Sequence, residues 1–259
     1  MLLTIDVGNT NMVFGLFEEE AMLGTFRLMT TGNRTSDEIG LTICEYFRRF
    51  NLDLNEVEDI IIASVVPQVM YTLTNAVFKY FGKRPIIVDD DVFPGILYEG
   101  DERLGADRAV SCDAAMAKYG MPLIVLDFGT ATTVDAIGSD GHYLGGSILA
   151  GLQITTEALF SKAAKLPQIE LALPKTVLGL STVTQIQAGS VGGYIGSIEY
   201  LIRRTKADMG CGENVKVVAT GGLARFIADH TPVIDLVDSQ LILDGLRMMY
   251  EKHKAGKGK

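Results

Sequence analysis

The sequence predicts an α/β protein built as two similar halves, each a mixed sheet flanked by helices. Three observations predict it. Apolar strand patterns alternate with helical ones along most of the chain, which implies largely parallel sheets covered by helices. The order three strands, helix, strand, helix, strand, helix occurs twice, with extra helix in the second half, at a period of about 115–120 residues that is far too long for a solenoid. Each half also holds a hairpin in which Asp-x-Gly and a threonine stand between apolar strands. These are Asp6-Val7-Gly8-Asn9-Thr10-Asn11 near the start and Asp127-Phe128-Gly129-Thr130-Ala131-Thr132-Thr133 in the middle. The expected domains are residues 1–118 and 119–259, with a boundary near Gly120-Met121-Pro122.

Taken in order, Leu2–Val7, Met12–Phe17 and Met22–Arg27 read as strands, the last two joined by Glu18-Glu19-Glu20. Ile39, Ile43, Tyr46, Phe47 and Phe50 recur at helical spacing over Asp37–Phe50, with Ser36 as the expected N-cap. Ile60–Val66 is an unbroken apolar run, as in a strand buried on both faces. Pro67 opens a helix that Gly82 closes. Pro85–Val88 is a short strand and Leu104–Tyr119 a helix.

In the second half, strands are expected at Leu123–Asp127, Thr133–Ile137 and Tyr143–Ile148, then a helix over Leu152–Ala164. A loop with Pro167 and Pro174 leads to one long helix, Thr182–Lys206. Val215–Ala219 is a strand, Thr220-Gly221-Gly222 a turn into a further helix, Val233–Leu236 a last strand, and Ser239–His253 a terminal helix.

Composition narrows the class. The chain has 259 residues, 47% hydrophobic and 21% charged, which suits a folded enzyme rather than a disordered chain. A net charge of −9 argues against nucleic-acid binding, which relies on clustered Lys and Arg. No stretch approaches the ~20 apolar residues of a membrane span, so no membrane association is expected. The chain opens directly on a strand pattern rather than a secretion leader. Cys44, Cys112 and Cys211 are odd in number and widely spaced, which suggests small buried hydrophobes in a reducing cytoplasm. His142, His230 and His253 form no ligand-spaced pair.

The paired hairpins carry the chemistry. Gly8 and Gly129 remove a Cβ where the backbone turns or meets a ligand. Exposed N–H groups and the hydroxyls of Thr10, Thr130, Thr132 and Thr133 then offer donors to an anion such as phosphate. Asp6 and Asp127 only accept, so beside a polyphosphate they imply Mg²⁺ or another cation. GxxxxGK[ST] and GxGxxG are both absent, so any ATP is held without a Walker-type lysine.

Asp6-Val7-Gly8-Asn9-Thr10-Asn11, Gly105-Ala106-Asp107-Arg108, Asp127-Phe128-Gly129-Thr130-Ala131-Thr132, Gly145-Gly146-Ser147-Ile148 and Thr220-Gly221-Gly222 follow one another in that order. The set resembles type III pantothenate kinase, within the acetate and sugar kinase/Hsp70/actin superfamily, and extends to about Asp244. The hairpins alone indicate the superfamily; Gly-x-Asp-Arg between them narrows it to the family. One departure is Ala150 before Gly151, where the family usually has proline.

The resemblance implies two actin-like (ribonuclease H-like) domains with an ATP cleft between them. It implies phosphorylation of pantothenate by ATP to 4'-phosphopantothenate, the first step of coenzyme A biosynthesis. Asp6, Val7, Gly8, Asn9, Thr10, Asn11, Met12, Val13 and Thr130 would surround the ATP phosphates, and Thr220, Gly221 and Gly222 would lie near the adenosine. Asp127 would help hold a monovalent cation, K⁺ or NH₄⁺, needed alongside Mg²⁺. Gly105, Ala106, Asp107, Arg108 and Tyr98 would receive pantothenate, with Thr182 completing the pocket from the neighbouring subunit of a homodimer.

The residues themselves agree at Gly105–Arg108. Transfer to a primary alcohol needs an acceptor for its proton, which Asp107 supplies. Arg108 is a fork-shaped partner for the substrate carboxylate. Gly189, Gly192, Gly193 and Gly196 fall on one side of a predicted helix, for internal packing or a dimer seam. Two other readings remain open: a superfamily kinase of different substrate, and a non-catalytic transcription-accessory or ATP-binding regulator on the same scaffold.

Overall fold

The structure is a computed structural model that describes residues 1–88, 95–98, 104–212 and 214–257. It contains two five-stranded mixed sheets. The first is built from β1 (Leu2–Val7), β2 (Asn11–Glu18), β3 (Ala21–Met29), β4 (Asp59–Ser64) and β5 (Ile86–Ile87), in the order β3-β2-β1-β4-β5. The second uses β6 (Leu123–Phe128), β7 (Ala131–Ile137), β8 (Tyr143–Ala150), β9 (Lys216–Gly221) and β10 (Leu236–Val237), in the order β10-β9-β6-β7-β8. The two orders are the same plan. In each, the hairpin strands are antiparallel and the later strands parallel. The duplication read from the sequence is therefore a duplication of topology.

The helices are α1 (Ser36–Arg49), α2 (Pro67–Phe81), α3 (Ala106–Tyr119), α4 (Leu152–Lys162), α5 (Thr182–Gln187), α6 (Gly193–Met209), α7 (Ala224–Ala228) and α8 (Leu241–Lys257). Two compact units result: Met1–Gly95 with Gly100–Ala114 and Gln240–Lys259, and Ile96–Glu99 with Ala115–Ser239. The terminal helix α8 thus belongs with the first sheet, although it follows the second in sequence.

Period-two patterning explains the first unit. Leu3, Ile5, Val7, Ile60 and Ile62 face a core completed by Ile39, Ile43 and Phe47 of α1 and Leu73 and Val77 of α2. The alternate residues Leu2, Ile61 and Ala63 face Val110 of α3 and Leu243, Leu246 and Met249 of α8. Covering both faces is what permits unbroken apolar strands. Each fully buried leucine here contributes about 1.5–3 kcal/mol through apolar area removed from water. α8 also approaches closely: a Cβ on Gly245 would lie 2.7 Å from Val110 Cγ1 and 2.9 Å from its carbonyl oxygen. In the second unit Ile124, Leu126, Phe128 and Val134 pack against Ile195, Ile198 and Ile202 of α6 and Ile227 of α7.

Several boundaries differ from the sequence reading. The N-cap of α1 is Thr35, not Ser36, because Glu38 three residues on closes a capping box with it. α3 begins at Ala106 rather than Leu104. The long helix expected over Thr182–Lys206 is α5 and α6 joined by a π-helical segment, Ala188–Gly192, where glycines weaken regular helix. β10 is only Leu236–Val237: the Asp235 carboxylate takes the Val217 N–H (2.8 Å) that a longer strand would have used. Among the described residues no helix is long and apolar enough to cross a membrane.

Candidate active site

In the first unit the hairpin ends β1 at Val7 and re-enters β2 at Asn11. Gly8 N donates to the Asn11 carbonyl (3.0 Å), Thr30 N to the Thr10 carbonyl (2.9 Å) and Thr30 Oγ1 to the Gly8 carbonyl (2.7 Å). These three bonds fix the turn and leave Asn9 and Thr10 exposed. Asp6 is half-buried, opposite Val13 on β2 and Ala63 on β4. Val7 and Met12 are fully buried, so only their backbone is available to a ligand.

The Gly105–Arg108 stretch starts α3 within the same unit. Asp107 Oδ1 accepts from Arg108 N (2.8 Å), and Ala109 N donates to the Gly105 carbonyl (2.9 Å). A Cβ on Gly105 would lie 2.9 Å from Asp107 Oδ1 and 4.0 Å from Val65 Cγ1. Glycine therefore makes room for the carboxylate to fold over the helix start, beside the residue that follows β4. Val65 N in turn donates to the Val7 carbonyl (3.1 Å). Asp107 and the Asp6 hairpin accordingly lie at one end of the first sheet, where parallel β1 and β4 both finish. An acidic residue in the first turn suits the positive end of the helix dipole. Asp107 and Arg108 are both half-buried.

In the second unit Asp127 is half-buried, opposite Thr133 on β7 and Thr220 on β9. Gly129 N donates to the Ala131 carbonyl (3.2 Å), and Gly151 N to the Thr130 carbonyl (3.0 Å). A Cβ on Gly151 would stand 2.5 Å from the carbonyl oxygens of Gly129 and Thr130. One on Gly221, whose φ is +91°, would stand 2.6 Å from Phe128 N and would also enter the Asp127 carboxylate. Gly151 thus lets the chain after β8 close on the Gly129–Thr130 turn, and Gly221 lets the end of β9 close on Asp127 and Phe128. Gly151 keeps this role with Ala150 before it. Gly222 follows, exposed, at the entry to α7.

Thr133 Oγ1 is buried with no hydrogen-bond partner among the described residues. Residues opposite one another on antiparallel strands share a face, so this hydroxyl and the Asp127 carboxylate are on one side of the sheet. A carboxylate and an orphaned hydroxyl are hard oxygen donors and fit a cation such as K⁺. Among the described residues no group of three His, Cys, Asp or Glu could hold a metal. Thr132 was expected to donate to an anion. It lies instead on the opposite face, fully buried, with Oγ1 2.5 Å from Tyr194 OH, and burial pushes that phenol above its ordinary pKa.

Tyr98 sits in the second unit and sets its ring edge-on to Tyr143 (5.3 Å, 73°), whereas Gly105–Arg108 are in the first. Thr182 is exposed at the first position of α5, behind a Ser181–Thr184 capping box. The apolar side chains before it are bare to solvent, with Val177 75%, Leu178 79% and Leu180 101% exposed. Thr220 was expected near the adenosine with Gly221 and Gly222, and the strand register sets it opposite Asp127.

Two like sheets, each opened by an Asp-x-Gly hairpin, define the class: the actin-like ATPase and sugar kinase fold. Solved structures agree on the fold. A proposed Baf family transcriptional activator from Campylobacter jejuni matches at TM-score 0.63 and 20% identity, covering 98% of this chain and 99% of that one. A proposed 2-dehydro-3-deoxygalactonokinase from Sinorhizobium meliloti matches at 0.61 and 12%, covering 97% and 99%. The activator of the 2-hydroxyisocaproyl-CoA dehydratase from Clostridium difficile, solved with bound ADPNP, matches at 0.54 and 13%, covering 99% and 97%. The model of the type III pantothenate kinase family matches residues 2–204, and the chain belongs to that family.

Proposed function

We propose that the protein transfers the γ-phosphoryl group of ATP to the primary hydroxyl of pantothenate, with Asp107 as the base. The observation that carries the reading is the placement of Asp107 at the start of α3, beside Val65 and at the same sheet end as the Asp6 hairpin. The hydroxyl proton passes to the Asp107 carboxylate as its oxygen bonds to phosphorus and the ADP oxygen leaves. Arg108 pairs with the substrate carboxylate, and Tyr98 also contacts pantothenate. The backbone of Gly8 to Val13 and the Thr130 hydroxyl hold the phosphates, and Gly221 and Gly222 let the adenosine approach. Mg²⁺ near Asp6 and a monovalent cation at Asp127 would neutralise charge developing on the phosphates. The work of the protein is then mainly positioning.

A homodimer belongs to the same reading. The bare Val177, Leu178 and Leu180 next to Thr182 suit burial by a second copy. A Cβ on Gly189, Gly193 or Gly196 would meet nothing within 4 Å among the described residues, so packing against those residues does not require glycine there.

The test is ATP-dependent phosphorylation of pantothenate with Mg²⁺, with and without K⁺. Turnover that requires K⁺ is expected. ATP binding with no phosphorylated pantothenate would favour a regulator or a different alcohol, and a panel of alcohol substrates separates those two. Light scattering should find a dimer; a clean monomer at assay concentration removes Thr182 from the pocket.

A further inference from the structure

The second unit holds a buried carboxylate to which the reaction gives no part. Asp135, on β7, is 1% exposed. An ionisable group that deep needs strong polar partners to be tolerated. One of them is the phenol of Tyr143, whose OH donates to Asp135 Oδ1 at 2.9 Å. The strand pairing explains how it reaches. Tyr143 lies opposite Ile137, while Gly145 lies opposite Ala136, so Leu144 is an extra residue on β8. A bulge of this kind re-aims the side chains around it. Gly145, with φ +132°, supplies a conformation that other residues rarely adopt. Leu144 is turned to solvent, and the Tyr143 phenol extends along β7 to Asp135, two positions from Ile137 on the same face.

Tyr143 also grips the Tyr98 segment twice. Its N–H donates to the Leu97 carbonyl (2.8 Å), next to the isolated bridge Leu97–His142. Its ring meets the Tyr98 ring edge-to-face, an arrangement aromatic pairs prefer and one that fixes ring orientation. Tyr98 itself is 36% exposed and makes no other aromatic contact among the described residues.

We propose that Asp135 and Tyr143 are positioning residues for pantothenate recognition: the buried carboxylate holds the Tyr143 phenol, and the Tyr143 ring holds Tyr98 in its substrate-facing pose. The inference rests on Tyr98 lining the pantothenate pocket. A phenol free to rotate would leave Tyr98 several orientations, and substrate binding would then have to select one. The residues act on binding of the acceptor, not on transfer.

The experiment combines kinetics with ¹⁹F spectra of protein labelled with 3-fluorotyrosine, the Tyr98 resonance being assigned by Tyr98→Phe. Tyr143→Phe keeps the ring and removes the hydroxyl; Asp135→Asn keeps an acceptor and serves if the first variant folds poorly. Tyr143→Phe should shift or broaden the Tyr98 resonance. It should also raise KM for pantothenate by about fivefold or more, while kcat and the KM for ATP stay within about twofold. Asp135→Asn should do the same more weakly. In the Tyr98→Ala background, Tyr143→Phe should add nothing. An unmoved Tyr98 resonance, or KM effects that add independently, overturns the proposal. If Tyr98→Ala leaves the pantothenate KM untouched while turnover persists, what fails is the placement of Tyr98 in the pocket, and the inference falls with it.

Discussion

In the first half Asp6 stands between Val13 and Ala63; in the second Asp127 stands between Thr133 and Thr220. The backbone plan is the same, strand for strand, yet the flanking positions change from apolar to hydroxyl-bearing. The turns differ too. Gly8 N reaches forward three residues to Asn11, whereas Gly129 N reaches two, to Ala131, so the second hairpin is one residue shorter. The helices after the last strands diverge further. α3 follows Gly105 and carries a folded-back aspartate in its first turn, while α8 begins with Leu241, Ile242 and Leu243, the last two packed in the cluster on the first sheet. A duplicated scaffold has thus been divided by side chain: one helix start is left polar, and the other is spent on core packing. Around Asp127 the oxygen-rich flank suits a cation, and around Asp6 the apolar flank leaves the carboxylate as the main polar group of its strand end.

The largest effect expected follows from the helix starts. Asp107→Asn should fold with an unchanged melting midpoint and lose about 10²–10⁴-fold in kcat, the usual contribution of a positioned base. Asp244→Asn, in the first turn of α8, should leave kcat within about twofold. Near-normal turnover by Asp107→Asn would remove it as the base and erase the functional contrast between the two helices.

A second pair tests the strand ends. Gly221 and Ser64 occupy equivalent places, beside Phe128 and Val7 respectively. Ser64 carries a side chain, whose Oγ accepts from Val66 N (3.1 Å). Gly221 has none to spare, since its backbone is left-handed and Phe128 and Asp127 fill the space. Gly221→Ala should cost about 3 kcal/mol or more in chemical denaturation, from strain and overlap together, and Ser64→Gly about 1 kcal/mol. Equal costs would mean that the second strand end is no more crowded than the first.

The flanks themselves can be exchanged. Thr133→Val removes a buried hydroxyl that lacks a partner among the described residues, so stability without added K⁺ should hold or rise by up to about 1 kcal/mol. Activation by K⁺ should fall markedly in the same variant if the hydroxyl helps hold the cation. The reciprocal Val13→Thr, beside Asp6, should leave K⁺ dependence unchanged. Full K⁺ activation of Thr133→Val would move the cation away from this flank.

Much of this contrast was legible in the sequence, for definite reasons. Both hairpins, the buried run Ile60–Ile62 and the Gly105–Arg108 helix start are local patterns, set by periodicity and by glycine at turns. What escaped depends on register. That Thr133 faces Asp127 while Thr132 turns to Tyr194 follows from which residue opposes which, and one position reverses it. The Tyr143–Asp135 contact depends on a bulge, and the return of α8 to the first sheet is a long-range packing choice. The shortness of β10 came from one aspartate side chain competing for a ladder N–H, a contest that propensity does not register.

The smallest expected effect compares two capping boxes of the same geometry. At α1 Thr35 N donates to Glu38 Oε2 (2.7 Å) and Glu38 N to Thr35 Oγ1 (3.2 Å). At α5 Ser181 N donates to Thr184 Oγ1 (3.1 Å) and Thr184 N to Ser181 Oγ (3.2 Å). Only the first is charged. The Thr35 backbone N–H, and then its hydroxyl, hold the Glu38 carboxyl below the usual carboxylate range. A depressed folded-state pKa means that the stabilisation is fully present above the unfolded value and is lost as pH falls through the folded one. Below about pH 4.5 the first turn of α1 should therefore exchange its amide hydrogens faster relative to the global rate, while the Thr184 amide of α5 keeps its relative protection. Asp37, also lowered by its bonds to Lys79 and Tyr80, titrates in the same helix, so the difference between wild type and Glu38→Gln isolates the cap. That difference should shrink toward zero as the pH drops. A difference of unchanged size in acid would show that the Glu38 charge is not its source.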